Sequence, residues 1–271
     1  MQLSNYPFVN FSFQSLCDWQ NRELAEMVIH RIINANDEYT PQVYSRFEPV
    51  KVKIDKENVE YITSLWLNEE VNRNLPSFAP PVRAGHLMLR RKKNPKVEYM
   101  ISWEKNNRVG FNSMNVSVEV NHLQDIEKQQ SFFDLCWTVA RILQPVRGYV
   151  INQSIPYIPE PLAPQVIHPE LHWINLFGRP YIELFGREKL LSTPCYKVEE
   201  LAEGIIALQL TDNLFEPIPE EVRASVKKHL GEQAFVESGK TYRDYLNKEN
   251  IVPNFDYIQV MFDRTQPIIF V

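Results

Sequence analysis

The sequence predicts an α+β protein: a mostly antiparallel sheet or sheets with helices packed on one face. Three observations lead there. Apolar residues recur at helical spacing in two well-separated runs, within 18–33 and 129–144. Between those runs, three stretches alternate apolar and polar residues as half-buried strands do. The resulting order through residue 151, α-β-α-β-β-β-α-β, keeps consecutive strands together so that hairpins can join them. Of the 271 residues, 44% are hydrophobic and 23% charged, which supplies a sizeable core and excludes a disordered tail.

The first helix is expected between Asp18 and Ile33, with Ala25, Val28, Ile29, Ile32 and Ile33 on its buried face and Ser15 or Asp18 as its cap. Val50 to Ile54 alternates as a short strand. A second helix starts near Asp55, buries Val59, Ile62, Leu65 and Trp66, and stops in the Asn72–Pro76 region. Gly85 to Arg91 and Val97 to Glu104 flank a turn centred on Asn94 and Pro95, and Asn115 to Val120 completes three antiparallel strands. Gln129 to Gln144 carries Phe133, Cys136, Trp137, Ala140 and Leu143 on one face and is stopped by Pro145. Tyr149 to Ile151 reads as the next strand.

Five prolines between Ile155 and Pro169 hold the chain extended. The expectation is one domain over 1–271, with 155–169 as the place where two subdomains, 1–154 and 170–271, would be joined. Further on, Pro180 and Gly186 bracket a short helix, Val198 to Glu203 a second, and Ile205 to Leu210 reads as a buried strand. From Pro219 to Leu230 every helix signal coincides: a proline start, Glu220 and Glu221 in the first turn, and Lys227, Lys228 and His229 in the last. Tyr257 to Phe262 and Ile268 to Val271 are the final strand candidates.

Composition excludes several chemistries. Neither GxGxxG nor GxxxxGK[ST] occurs among only eight glycines, so no phosphate-cradling loop or nucleotide cofactor is expected. Cys17, Cys136 and Cys195 lack CxxC spacing, which argues against zinc knuckles and disulfides. Met1 to Phe13 shows no secretory pattern and no apolar run reaches membrane-spanning length, so a cytoplasmic protein without a membrane partner is expected. Residues 1–154 hold 18 Lys and Arg against 17 Asp and Glu, and 155–271 hold 11 against 17. An acidic second half repels phosphate backbones, so direct nucleic-acid binding is not expected, and it attracts a basic protein.

Two clusters deserve chemical weighing. His168, Glu170 and His172 form an H-x-E-x-H run that an extended strand would present on one side, the alternative being a metal-dependent hydrolase. Helical HExxH is absent. Arg90, Arg91, Lys92, Lys93 and Lys96 form a dense basic run, read as a solvated hairpin tip that protects a sheet edge, with phosphate contact as the alternative.

The segment 172–191 is rich in rings, with Trp173, Phe177, Tyr181 and Phe185 recurring every four residues. Packing accounts for such a block, and a partly exposed version would supply aromatic and arginine anchors to a partner. Its pattern, W-x-N-x-F-G-x-x-Y-I-E-x-F-G-x-E-x-L, is followed by Glu203-Gly204-Ile205-Ile206 and preceded by Pro145-Val146-Arg147-Gly148-Tyr149. Together these resemble immunity proteins of bacterial polymorphic-toxin systems, the group called immunity protein fifty-two and the related type VI secretion immunity proteins, over roughly residues 80 to 210. The resemblance implies a non-catalytic cytoplasmic α+β protein without cofactor, whose partner is a cognate toxin, in similar systems often a nuclease. The partner-binding residues expected from this block are Trp173, Arg179, Tyr181, Glu183, Arg187 and Glu188.

Overall fold

A computed structural model of the chain describes residues 7–55, 57, 59–72, 82–105, 111–155, 164–237, 239–246 and 248–255. Two compact units divide at Pro145/Val146. The proline-rich segment 155–169 falls inside the second unit, with 156–163 outside the described residues, as are the strand candidates at 257–262 and 268–271.

The first unit is an antiparallel sheet covered by helices. In chain order it contains β1 (Phe8–Ser15), α1 (Arg22–Ile33), β2 (Val43–Ser45), β3 (Val52–Lys53), α2 (Val59–Leu67), β4 (Glu70–Asn72), β5 (Val82–Arg91), β6 (Val97–Lys105), β7 (Asn112–Glu119) and α3 (Ile126–Leu143). Its strands lie in the order β1-β7-β6-β5-β2-β3, with β4 also pairing with β5. The register sets one apolar row beside another. Leu89 faces Tyr99, Tyr99 faces Val116 and Val116 faces Phe11; likewise Leu87 faces Ile101 and Ile101 faces Met114. All of these are buried, as period-2 alternation requires of the covered face.

Rings attach the helices to that face. Phe11 meets Phe132, Phe133 and Trp137 of α3 at 5.0–5.6 Å between centroids, in edge-to-face geometry. The Trp103 indole N–H donates to the Trp66 carbonyl at 2.8 Å, and the Trp66 indole donates to the Trp19 carbonyl at 2.7 Å. Tyr99 donates its hydroxyl to Tyr39 O at 2.9 Å, and Tyr39 donates in turn to Lys128 O at 2.8 Å. Trp66, Trp103, Tyr39 and Tyr99 thus bury their ring area and still satisfy the polar atom on a neighbouring backbone.

Several sequence expectations shift here. The α1 cap is Asn21, whose side chain accepts from Leu24 N at 3.0 Å, because Asp18 and Ser15 are occupied with the turn before it, accepting from Gln20 N and Cys17 N. The second helix ends at Leu67, and Glu70–Asn72, expected in its tail, is a strand that pairs with β5. The α3 helix starts three residues earlier than its apolar run suggests, at a cap supplied by Asp125, which accepts from Glu127 N at 3.0 Å and Lys128 N at 3.2 Å. Asp125→Ala is expected to cost about 1 kcal/mol of unfolding free energy in urea titrations, with Asp125→Asn retaining most of it.

In the second unit the strands β8 (Arg147–Asn152), β9 (Ile174–Gly178), β10 (Lys197–Ala202) and β11 (Ile205–Gln209) lie in the order β10-β11-β9-β8, each antiparallel to its neighbour. Between β9 and β10 lie α4 (Arg179–Phe185) and α5 (Arg187–Leu191), and after β11 comes α6 (Glu220–Leu230). Val198 to Glu203, expected as a helix, is instead the edge strand β10. Its Val198 faces Leu208 and its Glu200 faces Ile206 across a turn that Gly204 enters at φ +84°. Pairing with the apolar β11 overrides the helix preference of Glu, Leu and Ala.

Candidate interaction surface and the H-x-E-x-H segment

Strand β9 is buried on both faces, and Gly178 leads directly into α4 with Pro180 in its first turn, where a missing N–H costs nothing. The rings at every fourth residue of the block, Trp173, Phe177, Tyr181 and Phe185, then all turn inward. Tyr181 is 0% exposed, 5.4 Å from Phe177 and 6.1 Å from Phe185, and Phe255 closes on it at 6.4 Å. Its hydroxyl finds no hydrogen-bond partner among the described residues, and burial drives its pKa upward. Trp173 is also buried, its indole donating to Thr211 O at 2.9 Å while its carbonyl accepts from Leu210 N. Trp173 and Tyr181 are therefore core side chains: Trp173 is fixed by its bonds beside β11, and i, i+4 spacing with Phe185 on α4 points Tyr181 into the unit rather than outward.

Four of the six expected residues do face solvent. Arg179 has a 74% exposed side chain and pairs with Glu183 one helical turn on, at 2.9 Å. Glu188 is exposed in the first turn of α5, beside Arg187. Arg187 reaches across to β10, where its Nε and Nη2 both donate to the Glu200 carboxylate, holding that carboxyl below its ordinary pKa. Lys197 pairs with Glu199 on the same edge strand, and Tyr196 lies 62% exposed just before it. Of this rim, Glu199 and Glu200 fall within Val198 to Glu203, where the sequence predicts a helix, and Tyr196 and Lys197 lie just before it. The alternation of Val198 and Glu200 with Lys197 and Glu199 carries little contrast to reveal a strand.

The H-x-E-x-H residues separate. Pro169 breaks the extended run, and the three side chains go to three environments. His168 is 2% exposed among Phe177, Tyr181 and Phe235, and its Nδ1 lies 2.6 Å from Pro169 O. Since a carbonyl only accepts, that nitrogen carries the proton. Glu170 turns to α6 and binds Lys227 Nζ at 2.7 Å. His172 lays its ring on Tyr149, centroids 4.6 Å apart, and burial with the charges of Arg147 and Arg223 drives its pKa down to about 3. Among the described residues, no three His, Cys, Asp or Glu side chains are grouped to hold a metal ion, so the donor set expected of His168, Glu170 and His172 does not form. Nor do Cys136 and Cys195 gain reactivity: burial raises the thiol pKa of Cys195 to about 11 and holds that of Cys136 well above the ordinary value.

Among the described residues, no helix is long and apolar enough to cross a membrane. No family model and no curated protein sequence matches the chain. Among solved structures it is similar to one described as Pseudomonas aeruginosa T6SS protein PA0821, with a TM-score of 0.53 and 11% sequence identity over 96% of this chain and 82% of that one. At so low an identity the likeness is one of fold, and the α+β fold described above is what the two proteins share.

Proposed function

We propose that this chain is an immunity protein associated with a type VI secretion system, which binds a cognate toxin in the cytoplasm and blocks it without chemistry of its own. The observation that carries the reading is the fold likeness to a T6SS protein across 96% of the chain. The ring-and-glycine block resembling toxin-immunity proteins supports it from the sequence. The site geometry fits a binding protein: rings fill the second unit and leave Arg179, Glu183, Arg187 and Glu188 on its surface as charged groups able to meet a partner.

Co-expression with the product of the adjacent toxin gene tests this. Growth is expected to be restored, and the pair to co-purify. Reversing Arg187 and Glu188 together should weaken the complex about tenfold while leaving the fold intact, since rim charges govern encounter more than stability. Continued killing in the presence of well-folded wild-type protein would refute the proposal.

A further inference from the structure

Beyond the α4–β10 rim, the first unit carries an open groove of about 770 Å³ whose charge is opposite to that of the whole protein. Five cations line it, Lys51, Lys53, Arg91, Lys92 and Lys93, against one carboxylate, Asp37. They belong to two distant segments, β3 and the β5–β6 turn. Gln42 ties those segments together. Its backbone N–H donates to Arg90 O at 2.7 Å and its carbonyl accepts from Ile54 N at 2.9 Å, while its Oε1 accepts from the N–H groups of Lys92 and Lys93 at 3.1 and 3.3 Å. The spacing of the cations is therefore built into the backbone.

The neighbouring basic residues behave differently. Arg90 is neutralised by Glu48 and Glu98, and Lys96 by Glu119. Lys51, Lys53, Lys92 and Lys93 have no carboxylate partner among the described residues, and all four are exposed. The Arg91 Nε is shielded from water with no acceptor among the described residues. In a chain of net charge −5, a groove that gathers this many unpaired cations is an unneutralised repulsion in the isolated protein, relieved when an anion fills it.

The same groove indicates which anion. No aromatic ring lines it, so it offers single-stranded nucleic acid no surface for base stacking. It runs instead along β3, the last strand in the order of the first unit's sheet, where Lys51 and Lys53 share one face and both line the groove. A strand with no further partner on its outer edge among the described residues, carrying two lysines on one face, suits main-chain pairing with an extended peptide whose acidic side chains reach the cations. We infer that this groove is a docking site for an acidic, extended segment of a partner polypeptide, whether or not that partner is a toxin.

Fluorescence anisotropy on the full chain tests it, using a labelled decapeptide of alternating glutamate and threonine beside a labelled single-stranded oligonucleotide of equal charge. The peptide is expected to bind saturably and to weaken as salt rises from about 50 to about 200 mM. Lys51→Glu/Lys53→Glu and Lys92→Glu/Lys93→Glu, two exposed pairs on separate segments, should each weaken binding about tenfold, and Lys228→Glu on α6 should leave it unchanged. Absence of saturable peptide binding, an equal loss in the Lys228 variant, or tighter binding of the oligonucleotide through the same lysines would each overturn the inference. Both paired variants are to retain the wild-type circular dichroism spectrum, and if one fails to, the other decides.

Discussion

Gly85→Ala is expected to destabilise the first unit by about 3 to 5 kcal/mol, a large effect for the addition of one methyl group. Gly85 of β5 sits directly opposite Trp103 of β6. A Cβ at that position would lie 2.2 Å from Cε2, 2.3 Å from Nε1 and 2.4 Å from Cζ2 of the indole. The backbone is not the obstacle, because strand geometry there admits any L-residue. The indole is. Trp103 is 1% exposed, and its N–H is committed to the Trp66 carbonyl, whose own helix is anchored through Trp66 to Trp19. To admit the methyl group, the ring must abandon that buried hydrogen bond or the hairpin must shift, and both costs exceed what the added apolar area returns. Urea midpoints check this in two backgrounds. In Trp103→Leu protein, where the space is vacated, the alanine should cost less than about 1 kcal/mol, giving a coupling of at least about 2 kcal/mol. A single Gly85→Ala variant with near wild-type stability would show that the indole moves freely.

Nothing in the sequence marks Gly85 as special, because the constraint arises from register, which pairs it with a ring eighteen positions away. What alternation and periodicity reveal is the element and its buried face. The rows Leu87, Leu89 and Tyr99, Ile101, Trp103 were readable in that way, and so were the faces of α1 and α3. The β1 strand, absent from the elements expected above, carries an equally clear signal, with Val9, Phe11 and Phe13 alternating with Asn10, Ser12 and Gln14. The β10 strand had no such signal, since its charged residues occupy both parities and only its partner β11 supplies the apolar contrast. At the candidate surface, residue type showed which side chains could anchor a partner but not which way they point. Tyr181 and Arg179 are equally plausible by type, and helix phase over β9 buries the first and exposes the second. The H-x-E-x-H spacing failed for a related reason: its one-sided presentation needed a regular strand, and Pro169 does not allow one.

Those same histidines make the stability of the second unit depend steeply on pH, on the acid side of neutrality. Burial holds the pKa of His168 well below 6.5, with the nearby Arg147 charge adding to the effect, and burial with Arg147 and Arg223 holds His172 at about 3. A group whose folded pKa is depressed below its unfolded value leaves the unfolded chain binding more protons, so stability falls as pH drops through the unfolded pKa near 6.5. Each histidine contributes about 1.4 kcal/mol per pH unit in that window, and together they should remove about 4 kcal/mol between pH 7 and pH 5. Glu48, Glu200 and Glu237 are held below their ordinary range by hydrogen bonds from Arg90, Arg187 and Lys240, so their contributions are lost only below about pH 4.5. Two variants separate the histidines: His172→Phe keeps a ring on Tyr149, and His168→Asn keeps a donor to the Pro169 carbonyl. Whatever each costs at pH 7, each should remove about half of the pH dependence of the urea midpoint followed by the fluorescence of Trp173, with the other tryptophans, all in the first unit, replaced by phenylalanine where tolerated. Unchanged steepness in both variants would mean that the two rings take up protons in the folded chain, and that neither is as dry as the packing of Phe177, Tyr181 and Phe235 around His168 requires.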